Sequence, residues 1–212
     1  RTLSKVSGKD LPWGDLTGIR PTKIPMKMLE EGKKNVEIAN YMRETYYTSP
    51  EKTALAITIA NREKDILKTI DYEHGYSLYI GIPFCPSICL YCSFGSHPLK
   101  QWEKRVDEYL DALIKELDFS AKAFADKRLQ SIYIGGGTPT TLEPEQLDRL
   151  ITALKSKFDF STVKEFTVEA GRADSITREK LEVLHRHQVS RISVNPQTMK
   201  QETLDIIGRK AS

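Results

Sequence analysis

Along residues 77–212 the apolar positions alternate between two periods. Short runs rich in β-branched and aromatic residues, at 77–83, 130–134, 164–170 and 189–195, predict strands. Between them apolar residues fall three and four apart. Trp102, Val106, Leu110, Leu113, Leu117 and Phe124 predict a helix over 102–124. Leu147, Leu150, Ile151 and Leu154 predict a second over 144–158, with Glu143 as its N-cap and Pro144 in its first turn. Two more are predicted at 177–187 and 200–207, the last one ended by Gly208. Strand alternating with helix four times predicts an α/β fold, a parallel sheet with helices outside.

Residues 1–75 have a different rhythm and read as a helical N-terminal extension to a core at 76–212. A helix at 24–31 is stopped by Gly32, and Asn35 is a candidate N-cap for a second at 35–46. Ser49 and Pro50 start a third, in which Leu55, Ile59, Ile66 and Ile70 recur at helical spacing. Thr17, Arg20, Thr22 and Lys23 lie in a polar loop that reads either as an anion site or as an ordinary lead-in to a helix. The chain opens on Arg1 and closes on Ser212 just after a helix, so a longer protein is expected, in which further strands cover the open parallel edge of these four.

Composition narrows the partners. With 39% hydrophobic and 29% charged residues the chain reads as an ordinary globular protein. Its formal charge of +3 is spread among acids, which gives no nucleic-acid surface. No apolar run is long enough for a bilayer span, and no secretory signal opens the chain, so no membrane partner is expected. Closely spaced thiols point to a reducing compartment, the cytoplasm.

Those thiols carry the chemistry. Cys85, Cys89 and Cys92 are the only cysteines of the chain, spaced C-x3-C-x2-C directly after a run that reads as a buried strand. Three thiolates on one loop suit a 4Fe-4S cluster with one iron left open. A structural zinc completed by His97 or His74, and inert core thiols, are the competing readings. The other polar residues of note also come after strands: Gly135 to Thr140 the second, Glu169 and Arg172 the third, Asn195 and Gln197 the fourth. In parallel α/β folds that rim is where ligands bind. Glu169 reads either as a ligand contact or as the partner of Arg172 in a salt bridge, the glycines as a close approach to a ligand or a tight turn, and Tyr79 as core or site. His185 and His187, two apart on a helix, cannot share a metal.

The cysteine spacing, with Tyr91 before the third cysteine, resembles the signature of the radical S-adenosylmethionine (SAM) enzymes. Tyr79-Ile-Gly-Ile-Pro-Phe-Cys85 and Gly135-Gly-Gly-Thr-Pro-Thr140 resemble the oxygen-independent coproporphyrinogen III oxidase family. Leu11-Pro-Trp-Gly14, Leu16 to Lys23 and Val168-Glu-Ala-Gly-Arg172 are most similar to its HemZ branch. The resemblance implies a partial TIM-type barrel, four of an expected six βα units. It implies a 4Fe-4S cluster on Cys85, Cys89 and Cys92, and SAM held along Tyr91, Gly136, Gly137, Thr138, Glu169, Gln197 and Arg209, with Tyr79 near the catalytic centre. The implied enzyme is a coproporphyrinogen III dehydrogenase fed electrons by a flavodoxin or ferredoxin. Its SAM-derived radical takes a hydrogen from a propionate, and loss of carbon dioxide and one electron leaves a vinyl, twice over, giving protoporphyrinogen IX. Phe94 stands where the well-studied oxidase has a fourth cysteine, and Gly81 where it has a histidine. Phe94 is shared with relatives that resemble heme chaperones, so a heme-binding delivery protein is the second implied reading.

Overall fold

In the computed structural model, which describes residues 2–18, 20–71 and 74–209, the chain divides into two units, Arg1–Ile70 and Asp71–Ser212. The first holds the helices α1 (Thr2–Ser7), α2 (Lys23–Glu30), α3 (Asn35–Tyr46) and α4 (Pro50–Leu67). Ser49 caps α4 by accepting the Lys52 N–H at 3.2 Å, and Pro50 fills the first position, where no N–H is needed. Gly32, at φ +81°, ends α2 in the left-handed region.

Two expectations fail in this unit. Asn35 is not the cap of α3: Lys34 holds that position, because the Glu37 carboxylate reaches back to accept the Lys34 N–H at 2.8 Å. The Asn35 side chain instead accepts from Asn61 at 3.1 Å. On α4 the inward face is Thr53, Ala56, Ile57 and Ala60, while Leu55, Ile59 and Ile66 are exposed and Ile70 is half-buried. Small side chains let α2 and α3 approach α4, and Leu29, Ile38 and Met42 fill the space they leave. The 17–23 loop presents Thr17, Arg20 and Lys23 to solvent, and its Ile19 lies outside the described residues.

In the second unit β1 (Gly75–Ile82) is followed by a small parallel pair, β2 (Phe84–Cys85) and β3 (His97–Pro98), and then by α5 (Leu99–Trp102) and α6 (Val106–Ala123). After these come β4 (Arg128–Gly136), α7 (Pro144–Lys157), β5 (Glu165–Glu169), α8 (Arg178–Arg186), β6 (Arg191–Ser193) and α9 (Gln201–Ile206). The main sheet runs β1-β4-β5-β6, every pair parallel. This is the α/β alternation expected of the chain. Gln146 accepts the Glu143 N–H at 3.0 Å to start α7, Thr177 accepts the Lys180 N–H at 3.3 Å to start α8, and Gly208, at φ +70°, stops α9.

The sheet is apolar on one face only. Ile80, Ile82, Ile132, Ile134, Phe166 and Val168 pack on Leu110, Leu113, Leu147, Leu150, Ile151, Leu154 and Leu184 of the helices. The opposite face carries Ser77 and Tyr79 of β1, Ser131 and Tyr133 of β4, Glu165, Thr167 and Glu169 of β5, and Arg191 of β6, aligned by the register. Hydroxyls pair across it, Ser131 donating to Ser77 at 2.8 Å, and Glu165 accepts from Thr167 at 2.7 Å and Arg191 at 2.8 Å. β1 is therefore half-buried rather than the buried strand its β-branched content suggests.

The helix expected over 102–124 is interrupted. Glu103–Arg105 form a 3-10 turn between α5 and α6, with Trp102 packed between the His97 ring and the Arg105 guanidinium. Phe124 lies past the end of α6, partly exposed and stacked on Tyr76 with ring centroids 4.9 Å apart. β4 is longer than its apolar run because Arg128 and Gly136 extend the pairing with β1, and β6 is shorter, pairing with β5 only over Arg191–Ser193. Among the described residues no helix is long and apolar enough to cross a membrane.

Candidate functional site

The cysteine loop leaves β2 and returns at β3. The neck is closed by the His97 N–H, which donates to the Pro83 carbonyl at 2.7 Å. Inside the loop Cys92 N–H donates to Cys89 O at 2.9 Å, and its far side is tied to the end of α9: Leu90 N–H reaches Ile207 O at 3.0 Å and the Ser87 hydroxyl reaches Gly208 O at 3.1 Å. From β4 the Gly137 N–H bonds Ile82 O at 2.7 Å and the Thr138 N–H bonds Phe84 O at 2.8 Å. Gly137 must be glycine, since a Cβ there would meet Phe84 O at 2.6 Å, and Gly136 sits at φ +108°. The triple glycine is thus more than a turn: it lets β4 close against the root of the cysteine loop.

The cavity above these strand ends measures about 430 Å³. It is lined by every site residue expected from the sequence: Tyr79, Cys85, Cys89, Tyr91, Cys92, Gly136, Gly137, Thr138, Glu169, Gln197 and Arg209. Cys85 and Cys89 are buried, and Cys92 is half-buried. The Cys85 sulfur and the Thr138 hydroxyl are 3.3 Å apart. Tyr79 is 62% exposed, so it is no core residue, and its ring stacks on Tyr133 at 5.8 Å. Gln197 adopts φ +68° and faces the cavity with Asn195.

Of the two readings of Glu169, the salt bridge to Arg172 is not formed. Glu169 accepts the Tyr133 hydroxyl at 2.5 Å, which, with burial, pushes the Tyr133 phenol up to about 12. Arg172 turns away and is held by Asp174, with N–O distances of 2.9 and 2.7 Å. Its remaining nitrogen donates to Ser87 and approaches the Cys89 sulfur at 3.7 Å. Burial, followed by the charge of Cys89, raises the Tyr91 phenol, and burial with Glu169 raises Tyr79. Arg209, an ordinary surface residue by its sequence alone, is 8% exposed and donates to the carbonyls of Gly171 and Asn195.

Two contributors carry no motif. Tyr109, in the first turn of α6, lines the cavity and donates to Gly81 O at 2.6 Å, and Tyr133 fixes Glu169 from the strand below the glycines. Period-2 alternation would have put Tyr133 on the same face as Gly135, which is the one signal that could have found it.

No histidine joins the cysteines. His97 sits at the neck of the loop, His74 pairs with Asp71 at 3.4 Å, and His187 pairs with Asp148 at 2.8 Å. A structural zinc site draws four ligands to within about 2.3 Å of one point and would need a fourth donor beside the three cysteines. A four-iron cluster takes one thiolate per iron and so spreads its ligands. Three thiols around one cavity, a glycine backbone open to the same space, and a carboxylate and a guanidinium beside it fit a cluster with a charged organic ligand next to it.

Residues 79–212 match the family model of the radical SAM superfamily. The chain is 39% identical over 214 residues to the oxygen-independent coproporphyrinogen-III oxidase-like protein HemZ of Bacillus subtilis, a match covering 98% of this chain and 42% of that protein. It is 41% identical over 133 residues to the heme chaperone HemW of Lactococcus lactis, covering 63% of this chain and 33% of that protein. The solved structure of coproporphyrinogen III oxidase (HemN) from Escherichia coli, described as a radical SAM enzyme, aligns with a TM-score of 0.59 at 29% identity, over 70% of this chain and 34% of the other. The chain thus spans about two fifths of the length of its HemZ relative.

Proposed function

We propose, since the chain belongs to the radical SAM superfamily, that its protein is an oxidoreductase that converts propionates of coproporphyrinogen III to vinyl groups without oxygen. The observation that carries this reading is the convergence of the cysteine loop, the triple glycine, Glu169 and Arg209 on one cavity. The likeness to a coproporphyrinogen oxidase-like protein over 98% of the chain supports the choice of substrate.

In this reading Cys85, Cys89 and Cys92 would hold the 4Fe-4S cluster, with SAM bound beside it. When bound, the cluster supplies the single electron that opens SAM to radical chemistry, and the reactivity is the cofactor's own. The chain supplies placement. Gly136 and Gly137 bring bare backbone to the methionine end, and Thr138 holds the turn beside Cys85. Glu169, fixed by Tyr133, would accept a hydrogen bond from SAM, and Arg209, Gln197 and Tyr91 would border the same ligand. Tyr79 offers an exposed ring where the tetrapyrrole would enter. A flavodoxin or ferredoxin serves as electron donor, in the cytoplasm.

A second reading is heme delivery, favoured by the 41% identity to a heme chaperone across the cysteine-bearing unit. One experiment separates the two. The full-length protein, reconstituted anaerobically with iron and sulfide, is given SAM, a reductant and coproporphyrinogen III, and mass spectrometry tracks 5'-deoxyadenosine and the tetrapyrrole. Loss of two carboxyl groups with deoxyadenosine formation supports the oxidase. Deoxyadenosine without decarboxylation removes it, and tight heme binding then favours delivery.

A further inference from the structure

Arg172 is 3% exposed, and nothing in the proposed function uses it. Its planar fork has two edges with different tasks. Nε and Nη2 are taken by the Asp174 carboxylate, at 2.9 and 2.7 Å. Nη1 faces the cysteine loop, where it meets the Ser87 carbonyl at 3.1 Å, the Ser87 hydroxyl at 3.0 Å and the Cys89 sulfur at 3.7 Å. Arg209 approaches the same sulfur at 3.9 Å. Cys85, by contrast, meets the neutral hydroxyl of Thr138.

A buried guanidinium is costly to desolvate, and neutral donors would pin a loop at lower cost. What a cation adds is charge. Reducing a cluster adds one negative charge in a site of low dielectric, so N–H donors and a positive charge against a ligand sulfur stabilise the reduced form. Partners outside the ligand shell set a metal centre's properties in this way. Asp174 holds the fork in its plane and offsets part of its charge.

We infer that Arg172 is a positioning residue that raises the reduction potential of the cluster through Cys89, with Asp174 as its counterweight. The inference rests on the reading that the three cysteines hold a cluster. Its consequence is that electron entry, and not only SAM binding, is tuned from the end of β5.

The test is a redox titration monitored by electron paramagnetic resonance on the full-length protein, reconstituted with iron and sulfide. Arg172→Gln should be about tenfold harder to reduce, a shift of about 59 mV to more negative potential for one electron. Asp174→Asn, which removes the offsetting charge and leaves the guanidinium, should shift the potential the other way. Arg172→Lys, with charge but no fork, should fall between wild type and Arg172→Gln. A mere anchor would change iron content and thermal stability in both variants without opposite shifts in potential. Unchanged potentials, or shifts of one sign in both variants, overturn the inference. If Arg172→Gln takes up no iron, Asp174→Asn decides alone, an upward shift supporting the inference and any other result removing it. A wild-type protein that binds no iron–sulfur chromophore would remove the cluster reading itself, and with it this inference.

Discussion

The Tyr133 hydroxyl on β4 donates a 2.5 Å hydrogen bond to the Glu169 carboxylate on β5, reaching diagonally past Thr167, its partner in the register. Glu169 thereby faces the cavity with its orientation set by a neighbour strand rather than by a salt bridge. Replacing Tyr133 with Phe keeps the ring stack on Tyr79 and removes only the donor. The expected outcome is a Kd for SAM raised roughly fivefold, the worth of a hydrogen bond of about 1 kcal/mol, with iron content unchanged. Equilibrium dialysis on the reconstituted protein checks it, and an unchanged Kd would mean that Glu169 is positioned without Tyr133.

The same phenol sets an alkaline signature. Its folded pKa of about 12 lies above the ordinary value of 10.0, so the folded state holds the proton more tightly. Stability from this bond is complete below about pH 10 and is lost as pH rises through about 12. Denaturant unfolding should therefore show a gap between wild type and Tyr133→Phe that is constant at neutral pH and closes above about pH 10. A gap independent of pH would remove the assignment.

Two glycines of the cavity call for opposite outcomes. Alanine at Gly137 would drive its Cβ to 2.6 Å from the Phe84 carbonyl oxygen, a backbone atom with no room to move. A loss of roughly 1–3 kcal/mol is expected, with poor cluster uptake, because β4 and the root of the cysteine loop must part. At Gly81 a Cβ finds only the edge of the Tyr79 ring, at 3.8 Å. Gly81→Ala should stabilise by roughly 0.4–1 kcal/mol through the unfolded chain. Thermal unfolding of the two variants side by side tests the contrast.

Serine in place of Cys85, Cys89 or Cys92 leaves the backbone bonds of the loop intact. Each variant should lose the iron–sulfur chromophore almost entirely, while the metal-free proteins unfold within about 1 kcal/mol of wild type. Iron and sulfide analysis with a parallel denaturant series distinguishes loss of a ligand from loss of fold.

The sheet, its helices and the site at the strand ends were legible because each rests on local chemistry: alternation, caps, glycines and clustered thiols. What stayed hidden depends on packing between distant segments. The face of α4 was misjudged because hydropathy favours Leu55 and Ile59, whereas close helix approach favours Ala56 and Ala60. Asn35 has the right chemistry for a cap, but the longer Glu37 side chain moved the cap one residue back. The sequence offered Arg172 the nearby Glu169 as one partner, and the structure gives it Asp174, two residues on, and a sulfur 83 positions away. The break at Glu103–Arg105 stands beside the contact of Trp102 with His97, which no periodicity in the helix reveals.

The bond from Ser87 to Gly208 joins positions 121 residues apart, with the Leu90–Ile207 bond beside it. During synthesis the cysteines leave the ribosome long before the segment that covers them. At about 5–20 residues per second, that interval lasts roughly 6–24 s. For those seconds the nascent protein carries three uncovered thiols on a loop whose outer wall has yet to be translated, open to oxidants and to stray metal. The outer wall of the loop, at Ile207 and Gly208, is thus in place only after all three cysteines have been translated.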